Sequence, residues 1–153
     1  MSAREQLDGF LDRYTPEVAA QARAALEEMR RRLPGALELV YDNYNAVAVG
    51  FGPSERSSEA IMSIAIYPRW VSLFFLQGAG LDDPDGVLKG SGSQVRHIVL
   101  KDAAMLDRPE VKRLMAQALD KARVPLDPAQ PYRLLIKSVS ARQRPRRPVT
   151  SAP

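Results

Sequence analysis

Between residues 37 and 101 the chain carries five short apolar segments, Leu37–Tyr41, Ala46–Phe51, Ala60–Tyr67, Val71–Leu76 and Arg96–Lys101, with turn residues but no helical pattern between them. Parallel strands need crossovers of a dozen or more residues, usually helical, so a run of strands without them predicts an antiparallel meander. The first segment alternates Leu37, Leu39 and Tyr41 against Glu38, Val40 and Asp42, which predicts a strand with one wet face. Ala60–Tyr67 and Val71–Leu76 are apolar at successive positions and are expected to be central strands covered on at least part of each side. Residues 52–58, rich in Gly, Pro and Ser, read as a mobile loop, and Tyr67-Pro68-Arg69-Trp70 as a tight turn.

Helical periodicity flanks this block. Leu7, Phe10, Leu11 and Tyr14 recur at i, i+3, i+4 and i+7 and predict a first helix over about Glu5 to Tyr14. Thr15 followed by Pro16 marks the start of a second, whose apolar stripe is Val18, Ala22, Ala25, Leu26, Met29 and Leu33. Arg30, Arg31 and Arg32 close it before Pro34-Gly35, a basic run read as a solvated helix end favoured by the helix dipole. Beyond the strands, Asp107 and Glu110 form a capping-box pattern ahead of an amphipathic helix with Val111, Leu114, Met115, Ala118, Leu119 and Ala122 on one stripe. Tyr132–Val139 reads as a final strand. The expected class is therefore α+β: an antiparallel sheet of five to six strands flanked by N-terminal helices and one C-terminal helix.

A chain of 153 residues suits a single domain, taken here as 1–140. The absence of cysteine excludes disulfides, thiolate metal sites and cysteine nucleophiles, and fits a reducing compartment. The N-terminus lacks an apolar signal region and no stretch is long and apolar enough for a membrane span, so the expectation is a cytoplasmic protein with no membrane partner. The net charge of +4 resides in the last 13 residues, where Arg142, Arg144, Arg146 and Arg147 occur without an acid; the rest of the chain has as many basic as acidic residues. Residues 141–153 are expected to be a disordered basic tail, able to hold nucleic acid or an acidic partner weakly and without sequence preference. No aromatic residue follows Tyr132 on which a base might stack.

No serine-hydrolase, zincin, Walker A or complete dinucleotide-binding motif is present, and a single histidine cannot supply a multi-histidine metal site. The candidate ligand site is the 85–97 segment. There Lys89, Gly90, Ser91 and Gly92 could wrap an anion with converging backbone N–H groups, helped by Arg96, with His97 beside them. The plainer reading makes the glycines turn formers and His97 a structural residue at a strand edge, since Arg96 and His97 point to opposite faces of a regular strand. Asp82, Asp83 and Asp85 resemble a cation loop, yet Gly92 stands where an EF-hand needs its bidentate Glu, so they read as surface.

Residues 67–76, Tyr-Pro-Arg-Trp-Val-Ser-Leu-Phe-Phe-Leu, and 88–98, Leu-Lys-Gly-Ser-Gly-Ser-Gln-Val-Arg-His-Ile, followed by a helix, resemble the YdhG-like bacterial family of largely unknown function. The resemblance covers roughly residues 7–122. Some members are similar in fold to frataxin and are described as intracellular iron chaperones, which implies an antiparallel sheet flanked by helices and iron as a cargo. The acidic ridge of such proteins would correspond here to Asp8 and Asp12, but Arg4 and Arg13 share their helix, and a neutral body argues against a strong ferrous sink. An additional final strand and the long glycine-rich loop at 77–93 depart from the family pattern. The leading expectation is a non-enzymatic protein that binds a small ligand or protein partner through 85–97, with a small-anion site or enzyme using Lys89 to His97 as the alternative.

Overall fold

The computed structural model describes residues 1–148. Helix α1 (Ala3–Asp12) starts at a capping box: the Ser2 hydroxyl accepts the Glu5 N–H at 3.1 Å while the Glu5 carboxylate accepts the Ser2 N–H. Helix α2 (Pro16–Arg32) starts as its sequence predicts, with the Thr15 hydroxyl accepting from the Val18 N–H and Pro16 at the first helical position. Six strands follow: β1 (Leu37–Asp42), β2 (Val47–Gly52), β3 (Met62–Ile66), β4 (Val71–Phe75), β5 (Arg96–Leu100) and β6 (Leu134–Val139). Helix α3 (Pro109–Asp120) lies between β5 and β6. Asp107 does not cap it. Pro109 takes the first position, making Arg108 the cap residue without a side-chain bond, and Asp107 closes a preceding 3-10 turn and pairs with Arg32.

The sheet order is β5-β4-β3-β2-β1-β6. Strands β1 to β5 each pair antiparallel with their neighbours in the chain, whereas β6 lies parallel to β1, so the sheet is mixed and not wholly antiparallel. The cause is the path of the chain. The strand run finishes at the β5 edge, α3 carries the chain back, and β6 adds to the open edge of β1 at the other side of the sheet.

One sheet face and the stripes of all three helices share a single core. Val40, Val49, Ile64, Leu73 and Ile98 form a continuous row across the strands in register, each buried. Each of these Val, Ile and Leu side chains contributes roughly 1.5–3 kcal/mol by leaving water. The junction between α1 and α2 is held by Tyr14, 1% exposed, whose hydroxyl donates to the Ile66 carbonyl at 2.6 Å and accepts from the Val47 N–H at 3.1 Å. Burial raises the Tyr14 pKa above its usual 10.0, partly opposed by the Val47 bond. A folded-state pKa above the unfolded one contributes stability that is intact below pH 10.0 and is lost as pH rises through the folded value. Tyr14→Phe is expected to lower stability at neutral pH by about 1–2 kcal/mol and to flatten the alkaline fall; chemical denaturation between pH 8 and 11 measures both.

The polarity of β1 is the reverse of the expectation. Glu38 and Asp42 are 0% and 1% exposed and lie with Val40 on the helix side, while Leu37 and Leu39 are buried on the opposite face. Residues 53–60 fold over that opposite face and are fixed there rather than forming a free loop. Ser57 bonds the Tyr41 hydroxyl, Gln130 donates to the Pro53 carbonyl at 2.9 Å, and Lys137 donates to the Glu55 carbonyl at 3.0 Å. Each buried acid has its own cation. Arg30 grips Glu38 through two nitrogens, and Asp42 accepts from Arg146 at 2.8 Å and Arg13 at 3.4 Å.

Where a disordered tail is expected, the structure places the C-terminal segment against the body as far as residue 148. Arg146 is 3% exposed, the Arg144 N–H donates to the Tyr44 carbonyl at 2.9 Å, and Arg147 donates to the Arg13 carbonyl at 3.2 Å. A buried carboxylate needs a partner, and the tail supplies it. Arg142 lies on the exposed part of this segment, and residues 149–153 of the expected tail lie outside the described residues.

Candidate functional site

The 85–97 segment is brought together by the fold, but as a clasp closed on itself. Lys89 and His97 exchange both backbone hydrogen bonds, at 2.8 and 2.9 Å, which folds the glycine loop back on β5. Gly90 takes φ +117°, a conformation that L side chains rarely adopt. The Arg96 guanidinium donates to the carbonyls of Gly92 and Val95 at 2.6 and 2.8 Å, so the arginine expected to face an anion holds the loop shut. Ser91 and Gly92 are exposed. His97 stacks on its cross-strand partner Phe74 with ring centroids 5.1 Å apart, on the sheet face away from the helices. Asp83 accepts the N–H groups of Val87 and Leu88, and Asp85 pairs with Arg113, so the aspartates of this loop serve its own turn.

Of the acidic pair expected on α1, one carboxylate is already taken by a cation. Asp12 accepts from Arg23 at 2.7 Å, and the same guanidinium reaches the Asp8 carbonyl. Among the described residues no group of three or more His, Cys, Asp or Glu side chains could hold a metal ion.

A partly enclosed cleft among the described residues lies instead beside the clasp, at the end of the sheet where β3 begins and β4 leaves. It is a cleft of about 460 Å³, within the range of small-molecule sites. Ile61 and Phe75 from the strand ends, Leu81 from the 77–94 loop, and Ala118 and Ala122 at the end of α3 supply its apolar lining. Its walls are pinned. Gln117 on α3 bonds both the N–H and the carbonyl of Asp82, at 3.0 and 2.9 Å, Lys121 donates to the Gly80 carbonyl at 2.9 Å, and the Ala79 N–H donates to Gln94. Gly78 permits the close approach of this loop to β5, since a Cβ there would stand 2.6 Å from the Cβ of Arg96.

Charge at the mouth is asymmetric. Two cations, Lys121 and Arg123, and one acid, Glu59, belong to the lining, and the Glu59 carboxylate already accepts from the Ser54 hydroxyl at 2.7 Å and pairs with Arg56. The amides of Gln77 and Gln94 and the hydroxyls of Ser58 and Ser93 complete the polar rim. Of the residues singled out in the sequence, none of Lys89, Gly90, Ser91, Gly92, Arg96 or His97 lines this cleft; the loop contributes its neighbours Ser93 and Gln94. The small Ala118 and Ala122 were visible in the sequence as part of a helical stripe, and nothing there distinguished lining a cleft from filling a core. Comparison of the chain with family models, curated proteins and solved structures finds no significant match. No described helix is long and apolar enough to cross a membrane.

Proposed function

We propose that the protein is a non-enzymatic binding domain of the YdhG-like, frataxin-related kind that takes a small amphiphilic organic anion into the cleft between the sheet end and α3. The observation that carries this reading is the pairing of an apolar floor, Ile61, Phe75 and Ala122, with two cations, Lys121 and Arg123, against one carboxylate that is already hydrogen-bonded. An apolar body would replace water on the floor while a carboxylate faces Lys121 and Arg123, the division of labour of small-molecule sites in general. A binding role is favoured over a catalytic one because the histidine is stacked on Phe74, away from the cleft. The family affinity rests on the two sequence blocks at 67–76 and 88–98. An iron cargo gains no support from Asp8 and Asp12, since the Asp12 carboxylate is held by Arg23.

The test is a thermal-shift panel of aliphatic and aromatic carboxylates, phosphates, nucleotides and ferrous iron. A carboxylate that fits, at a hundredfold excess over its Kd, adds about 2.7 kcal/mol, roughly 5–10 °C for a chain of this size. Ala122→Phe should abolish that gain by filling the floor, and Arg123→Ala should reduce it by about tenfold in affinity. A panel in which no carboxylate raises the melting temperature, or a gain indifferent to Ala122→Phe, rejects the reading.

A further inference from the structure

A second concavity lies on the other sheet face, at the opposite end of the strands from the cleft. It is an open groove of about 970 Å³ between the β1–β2 turn, the β3–β4 turn and the C-terminal segment. Its floor is the register pair Ala48 and Ala65, two methyl groups on an otherwise flat sheet. Tyr67 and Trp70 stand at one side, stacked with centroids 4.9 Å apart and planes 22° apart, and Tyr44 stands at the other. Trp70 and Tyr44 are 42% and 45% exposed, an unusual concentration of aromatic surface in one place.

Three cations share the groove with these rings: Arg69, Arg144 and Arg147. Among the described residues none of them forms an ion pair and no acid lines the groove. The Arg144 guanidinium lies 5.5 Å over the Tyr44 ring, so it presents charge and a flat face together. The arrangement is fixed, because the backbone of Arg144 is bonded to Tyr44 and the neighbouring Arg146 is buried against Asp42.

We propose that this groove binds single-stranded nucleic acid, with bases stacking on Trp70 and Tyr44 and phosphates facing Arg69, Arg144 and Arg147. Rings interleaved with unpaired arginines match a ligand that alternates flat apolar faces with negative charges. A duplex keeps its base faces covered and cannot use Trp70 or Tyr44, so a single strand is the better fit. Stacking and phosphate contacts are indifferent to base identity, so the binding is tolerant of sequence, with any modest preference coming from the Asn43 and Asn45 amides at the β1–β2 turn. This site is independent of the carboxylate cleft and of its occupant.

Trp70 is the only tryptophan, so its fluorescence reports stacking directly. The experiment titrates the full chain with labelled oligo-dT and oligo-U of about 12 nucleotides, following anisotropy and tryptophan emission at several salt concentrations. Expected are quenching of Trp70, a log–log salt slope of about −2 from three arginines on a single strand, and weaker binding to the matching duplex. Trp70→Ala should weaken binding roughly tenfold, with partial recovery in Trp70→Phe, and Arg69→Ala should lower both affinity and slope. Arg113→Ala, which removes the same charge from α3, should change affinity less than twofold. The proposal is overturned by absence of binding at low salt, by equal affinity for duplex, or by equal losses in Trp70→Ala and Arg113→Ala. Polyglutamate binding as tightly as the oligonucleotides, with Trp70→Ala without effect, also overturns it and assigns the groove to an acidic protein.

Discussion

Removing the C-terminal segment is expected to destabilise the fold. A chain ending at Ser140, or the single change Arg146→Met, should lose about 3 kcal/mol, roughly 6–12 °C in Tm. The reason is Asp42, 1% exposed and held at 2.8 Å by Arg146 from the tail and at 3.4 Å by Arg13. Arg13 is 45% exposed and is the weaker of the two partners, so loss of Arg146 leaves a buried carboxylate with a partly solvated counter-ion. The Arg146 guanidinium also loses its place 5.9 Å from the Tyr14 ring and its bond to the Tyr44 carbonyl. The pair is not ideal, since the Arg146 Nε has no hydrogen-bond partner among the described residues, which keeps the expected loss at the lower end for a buried ion pair. Asp42→Asn combined with Arg146→Met should cost less than the two single changes added together. A truncated chain that melts within about 1 °C of the full one would show that residues 141–148 are not docked.

The elements themselves were legible in the sequence because each has its own period. Thr15-Pro16, the stripe from Val18 to Leu33 and the alternating or continuous apolar runs of the strands place both N-terminal helices and all six strands within a few residues. What periodicity cannot convey is which face of a strand meets the helices. In β1, Leu37 and Leu39 lie on one face and Glu38 and Asp42 on the other, and either set can be buried if partners exist. The partners were far away in the chain: Asp42 and Arg146 are 104 residues apart. Counting charges treated the tail arginines as surplus, although one of them neutralises an acid of the body. The pairing of β6 was illegible for a related reason. The connection from α3 is long enough to reach more than one edge, and only the assembled sheet shows that the β1 edge was open. The candidate site suffered most. Glycines, a lysine and an arginine in a row describe a turn as well as a ligand loop, and the carbonyls of Gly92 and Val95 claim Arg96 first. The aromatic groove combines residues 44, 67, 70 and 144, which no local pattern unites.

The second large effect concerns the other buried acid. Arg30→Ala is expected to cost about 3–5 kcal/mol, more than Glu38→Ala at the same pair. Glu38 is 0% exposed and receives two guanidinium nitrogens of Arg30, whose side chain is 20% exposed. If the acid is removed, the arginine can turn toward water; if the arginine is removed, the carboxylate stays buried among Phe51 and Leu134, its register partners on β2 and β6. The asymmetry follows from solvation and not from the strength of the bond itself. Arg30→Lys should recover only part of the loss, because an ammonium cannot reproduce the two-pronged contact. Replacing both partners, Arg30→Met with Glu38→Leu, removes both charges along with their desolvation cost and should return stability to within about 1 kcal/mol of the parent. Urea denaturation of the four variants reads these differences directly. Equal losses for Arg30→Ala and Glu38→Ala would mean that Glu38 reaches water in the folded protein, and the helix-facing placement of the β1 acids would then be wrong.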